Sequence, residues 1–211
     1  MKLRVYSLLI VTLTILTLTQ ACSRPLAPQP ACNFVQNPEL QRVSWNSKVP
    51  VKFYLHSSVP VEAYPAIDRA VQEYNEHLAG GKEVIRIVAR GVSGDLSPLK
   101  DGYSVVYWFD RWETNRQTEQ ARTTIYWSGS QIFESDIRVN ADDFQYSYGE
   151  STIYGKVDLT SLMVHEFGHA LGLGHTSNRG SVMVTSLGDG ENRRKLSDTD
   201  LANLRCEYNS L

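Results

Sequence analysis

The spacing of apolar side chains changes period several times along this chain. Residues 49–55 (VPVKFYL) are rich in β-branched and aromatic side chains and predict a strand. Over 60–78 the period shifts to three and four, with Ala63, Ile67, Ala70, Val71, Tyr74 and Leu78 on one stripe. That spacing predicts an amphipathic helix, stopped by Gly80-Gly81. Alternation returns at 83–89 (EVIRIVA) and 103–109 (YSVVYWF), and two more strands are expected at 122–127 and 135–140. Ser128-Gly129 marks a turn between the last two. A second helix is expected over about 160–171, capped by Asp158 or Thr160 and ended by Gly172. A third starts at Ser197, where Asp200 three residues on completes a capping box, and Leu201, Leu204 and Tyr208 give it an apolar face. Strand, helix, several strands, helix, loop, helix is the order of an α+β domain with a mixed sheet, not of alternating βα units.

The first forty residues follow a different pattern. Lys2 and Arg4 precede an uncharged apolar run over 5–19, followed by Ala21. At 15 residues the run is short of the roughly 20 a spanning helix needs, so residues 1–21 read as a secretory signal peptide and the protein as exported. Leu18-Thr19-Gln20-Ala21-Cys22 resembles a bacterial lipobox, which makes Cys22 a candidate for lipidation and for a membrane tether. Thr19 stands where such boxes usually carry Leu, and an ordinary signal peptidase could cut the same bond. Residues 22–40 contain Pro25, Pro28, Pro30 and Pro38 and read as an extended spacer before a single folded domain, 41–211.

Composition narrows the function. The chain has 211 residues, 42% hydrophobic and 21% charged, enough for one core without staples. Taking Lys2 and Arg4 from its 21 basic residues leaves 19 against 23 acidic, a net charge of −4 for the processed chain. That balance argues against nucleic-acid binding. If Cys22 carries lipid, Cys32 and Cys206 remain near the two ends of the chain; in an oxidising compartment they can form a disulfide, the alternative being two unpaired thiols.

Three of the five histidines fall within eleven residues, in the run HEFGHALGLGH over 165–175. From the chain's own composition, that constellation arises by chance in roughly one chain in 10⁵, so a metal site is the better explanation. His165 and His169, four apart on a helix, project from one face and can grip one Zn²⁺. Glu166 is rotated about 100° from His165 and can stand beside the metal as a base. Gly172 lets the chain turn out of the helix and bring back His175 as third ligand. Three protein ligands leave a coordination position open, the arrangement of a catalytic zinc.

The string HEFGHALGLGH carries the HExxHxxGxxH pattern and resembles the metzincin zinc endopeptidases, most closely their matrixin branch. The resemblance covers about residues 45–211. It implies a metzincin, zincin-like domain: a mixed twisted sheet of about five strands with one antiparallel edge, plus three helices. It further implies one catalytic zinc on His165, His169 and His175, with Glu166 as the base. Met183 becomes the methionine of the turn beneath the metal, and strand 122–127 the edge that receives a protein or peptide substrate. Thr176 stands where matrixins usually have Ser, and Met183-Val184-Thr185 where they have Met-Tyr-Pro. No Tyr sits two residues after Met183, and no Asp follows His175, features of other metzincin branches. Pro30-Ala31-Cys32-Asn33 is not a matrixin cysteine switch.

Other candidates have plainer readings. His56 and His77 read as surface or capping histidines, a structural zinc being the alternative. Asp142-Asp143 reads as a solvated turn, with a Ca²⁺ site as the alternative. Trp108, Phe109 and Trp112 read as packing. By analogy the loop Gly188-Asp189-Gly190-Glu191 with Arg193-Arg194-Lys195 lines the specificity pocket. The expected function is that of an exported, monomeric zinc endopeptidase. The competing one is a catalytically silent metzincin-like binding lipoprotein with a stabilising zinc.

Overall fold

Strand β1 (Val51–His56) turns Val51, Phe53 and Leu55 inward and Lys52 and Tyr54 outward, as its alternation requires. It is an inner strand of the sheet in a computed structural model that describes residues 32–78, 83–98 and 100–208. The signal-like run, Cys22 and Gly80-Gly81 lie outside the described residues. After a 3₁₀ turn at Val61–Ala63 comes α1 (Tyr64–His77), with Pro65 in its first turn, where a missing amide hydrogen costs nothing. Its inward stripe, Ala66, Ile67, Ala70, Val71 and Tyr74, is buried. Then follow β2 (Ile85–Val92), β3 (Ser104–Phe109), β4 (Ala121–Ser128) and β5 (Gln131–Asn140).

The five strands form one sheet in the order β2-β1-β3-β5-β4. All neighbours are parallel except β4, which runs antiparallel to β5 at the sheet's edge, with Thr123 opposite Ile137. The turn joining them puts Gly129 at φ 58°, a conformation open to glycine at no steric cost. Two-residue strands β6 (Tyr146–Ser147) and β7 (Val157–Asp158) pair in a small second ladder, too short for any hydrophobic period to announce.

Helix α2 (Leu159–Ala170) runs beneath the sheet and is buried on nearly all sides, which suits its apolar composition. Of the two cap candidates Asp158 serves, accepting from the Ser161 amide at 2.9 Å. Phe167 meets Phe53 of β1 edge to face, centroids 5.2 Å apart, and Tyr74 of α1 donates to the Val164 carbonyl at 2.6 Å. Helix α3 (Asp198–Tyr208) begins with the expected box: Ser197 Oγ meets Asp200 Oδ2 at 2.7 Å, and the Asp200 amide donates to Ser197 Oγ at 3.2 Å. Thus the mixed sheet of five strands, one antiparallel pair and three helices match the expected fold class.

The N-terminal boundary differs from expectation. Residues 32–40, the described part of the expected spacer 22–40, pack on the domain. Phe34 is buried and forms an antiparallel bridge with Leu173, and the Val35 amide donates to the Gly172 carbonyl at 2.8 Å. Cys32 is disulfide-bonded to Cys206 of α3, with Cα atoms 6.6 Å apart. A buried aromatic, a cross-link and hydrogen bonds to distant backbone hold the segment, and none of them gives a period.

Candidate active site

Helix α2 places His165 and His169 one turn apart. Gly172, at φ 103°, reverses the chain; a Cβ there would lie 2.3 Å from the Val43 carbonyl oxygen, so only glycine fits. The reversal returns His175, and the three Nε2 atoms converge: 3.0 Å between His165 and His169, 3.0 Å between His169 and His175, 3.3 Å between His165 and His175. Their second nitrogens explain the orientation. Nδ1–H of His165 donates to the Val182 carbonyl at 2.7 Å, and that of His169 to the Leu173 carbonyl at 2.8 Å. Both Nε2 atoms therefore present lone pairs to the shared point. Burial lowers the pKa of each ring to about 4, so both are neutral at pH 7. Burial also lowers that of His175. Lone pairs gathered this tightly repel unless a cation sits among them, and bonds of about 2.0 Å to a tetrahedral zinc require such a spacing. The donor set fits Zn²⁺. Among the described residues this is the one such cluster of potential ligands.

Met183 is 1% exposed, and its sulfur is 2.4 Å from where a Cβ on Gly168 would stand, so the glycine of α2 leaves the room that this side chain fills. The turn is held by a residue that sequence reading gave only a capping role. Buried Asp200 accepts from the Val182 amide at 3.0 Å and from the Ser181 hydroxyl, tying α3 to the carbonyl that orients His165.

Glu166 is 4% exposed and lines the cleft with the histidines. Burial raises its pKa above the ordinary carboxylate range, while the nearby His169 and the Thr123 hydroxyl pull it back. Thr123 Oγ1 stands 2.5 Å from Glu166 Oε2, a contact between β4 and α2 that no local pattern announces. The cleft, about 560 Å³, runs along β4 past the histidines to Leu162, Val184, Leu187 and Arg193.

The loop expected to line the specificity pocket does so only through Arg193. Its guanidinium pairs with Glu191 at 2.7 Å and donates to the carbonyls of Val184 and Ser186. Arg194 instead turns to Asp158, the α2 cap, and Lys195 to Glu73 of α1 at 2.7 Å. His56 is buried, not superficial, with Nδ1 on Ser58 Oγ at 2.8 Å and Nε2 3.2 Å from the Gly94 carbonyl. His77 Nδ1 donates to the Glu73 carbonyl at 2.9 Å. Asp142 accepts from the Trp112 amide and Asp143 from the Asn140 amide side chain, both at 2.9 Å. Trp112 is buried, 6.1 Å from the Phe109 ring, and Trp108 packs on Tyr146.

Residues 108–209, just under half of the chain, match the matrixin family. The chain is also similar to three curated plant proteins over short stretches. It is 38% identical to Metalloendoproteinase 5-MMP of Arabidopsis thaliana over 52 residues, 25% of this chain and 14% of that one. It is 37% identical to Metalloendoproteinase 2-MMP of Arabidopsis thaliana over 57 residues, 27% and 15% of the two chains. With Metalloendoproteinase 1 of Glycine max the identity is 33% over 72 residues, 33% and 24% of the two. The matches thus span less than a quarter of the length of each of these relatives. The segment that holds β4, β5, α2, the histidine cluster, the methionine turn and α3 is matrixin-like.

Proposed function

We propose that the protein is an exported zinc-dependent endopeptidase that hydrolyses peptide bonds in protein substrates. The observation that carries this reading is the convergence of three imidazole nitrogens beside a buried carboxylate, in a cleft walled by a sheet-edge strand. His165, His169 and His175 would hold the zinc. Bound there, the metal supplies a Lewis acid that polarises the scissile carbonyl and acidifies a water. Glu166, raised in basicity by burial, takes the proton of the attacking water and delivers it to the departing nitrogen. The free edge of β4 offers backbone groups for an extended peptide to pair with. Apolar Leu162, Val182, Val184 and Leu187 receive a side chain beside the cut, with Arg193 at the far wall.

The similarity to plant metalloendoproteinases supports the chemistry, and the short apolar run after Lys2 and Arg4 supports export. Anchoring through Cys22 is part of the same proposal; among the described residues no helix is long and apolar enough to cross a membrane. The test compares zinc-loaded wild type with Glu166→Ala on a mixed peptide library. Cleavage by wild type that a chelator stops and the variant lacks supports the endopeptidase. Equal zinc binding with no cleavage by either supports a silent binding lipoprotein instead.

A further inference from the structure

Thr123 is the third residue of β4, the strand that walls the cleft. Its hydroxyl lies 2.5 Å from Glu166 Oε2 and 3.2 Å from the Glu166 carbonyl, across 43 positions of sequence. Among the described residues it is the one hydrogen-bond partner of that carboxylate. The last torsion of a glutamate side chain is broad, so burial alone does not fix the plane of its two oxygens. A hydroxyl on one oxygen does. With Oε2 engaged, Oε1 is the oxygen left to meet a water, and Glu166 lines the cleft.

We propose that Thr123 is a positioning residue for Glu166. Its hydroxyl hydrogen holds Oε2 and so aims Oε1 at the attacking water. The strand that would pair with the substrate backbone thereby also carries the group that orients the base, so substrate register and base orientation are set by one element. This inference rests on the endopeptidase reading. Valine matches threonine in shape without the hydroxyl, alanine removes both branches, and serine keeps the hydroxyl.

The test uses zinc-loaded full-length protein carrying Thr123→Val, Thr123→Ala or Thr123→Ser. On a peptide that wild type cleaves, Val and Ala lower kcat about 10- to 100-fold, the worth of one hydrogen bond to a charged group, while KM stays within about twofold. Ser restores most of kcat. Zinc affinity, read by competition with a chromophoric chelator, is unchanged in all three. A second readout is the Glu166 carboxylate stretch, isolated in ¹³C-glutamate-labelled protein as the infrared difference from Glu166→Gln. It shifts in Val and Ala and returns in Ser. Unchanged kcat in Val and Ala overturns the proposal, as does an unshifted band or a loss of zinc binding in both. If wild type cleaves nothing, the infrared band still decides whether Thr123 orients Glu166, and the failure belongs to the endopeptidase reading.

Discussion

His165 and His169 stand on an interior helix, whereas His175 stands on an exposed loop. Away from the cleft the helix is fixed by packing: Phe53 on Phe167, Tyr74 on the Val164 carbonyl, Met183 against Gly168. The loop is tied inside by the Thr176 amide on the Met183 carbonyl at 3.0 Å, and outside by the segment that precedes β1. Asn33 Nδ2 donates to the Gly174 carbonyl at 2.6 Å and to the His175 carbonyl at 3.2 Å. The Gly174 amide donates back to the Asn33 carbonyl at 2.9 Å, and Cys32 next door is bonded to α3. One cluster of nitrogens is thus assembled from a preorganised half and a strapped half. Two ligands depend on the core, and the third also on a segment cross-linked to α3.

The largest expected effect comes from breaking the helix half. His169→Ala should weaken zinc binding at least about a hundredfold, and more than His175→Ala, because a ligand held rigid before binding loses less freedom on binding. Chelator competition on both variants checks it, and equal losses would erase the distinction. Next, replacing Cys32 and Cys206 together by serine should lower the unfolding free energy by about 2–5 kcal/mol in urea titrations. Zinc affinity should fall with it; an unchanged affinity would mean that the strap does not hold His175. Asn33→Ala is the finer cut, with an expected weakening of zinc binding by about tenfold and a stability loss of about 1 kcal/mol.

The smallest effect on the cleft is expected from the opposite face of the sheet. Asp136 points away from the core residue Ile137 and is 1% exposed. Burial pushes its carboxyl up to about 7, with the Val105 amide opposing and the Glu134 and Asp101 carboxylates adding to the rise. A folded pKa above the unfolded value of about 3.9 means that the folded state holds the proton more tightly. Stability is therefore full below about pH 4, declines as pH rises to about 7, and stays reduced above. Asp136→Asn should raise the unfolding free energy at pH 8 by about 2 kcal/mol and leave it unchanged at pH 4, with zinc affinity the same at pH 8.

Short-range features were legible in the sequence. The spacing of His165, Glu166 and His169 is a property of one helical turn, the exit at Gly172 is a property of glycine, and the box at Ser197 and Asp200 spans three residues. So were β1 and α1, whose inward stripes coincide with the expected periods. Contacts that cross the fold left no local trace. Nothing near Thr123 announces Glu166, nothing near Asn33 announces Gly174, and the run Arg193-Arg194-Lys195 does not say that its members diverge to the cleft, to Asp158 and to Glu73. Asp200 was legible as a cap and hidden as the support of Val182, because one carboxylate has oxygens enough for both tasks.

The bond between Cys32 and Cys206 closes 174 positions of chain into a covalent ring. A single backbone break anywhere inside that ring, for instance among the exposed residues 93–97 after β2, opens the circle without releasing a fragment. A molecule nicked by itself or by a neighbour would travel as one species on a non-reducing gel and as two after reduction. Such damage would pass unseen in any sizing assay that keeps the disulfide intact.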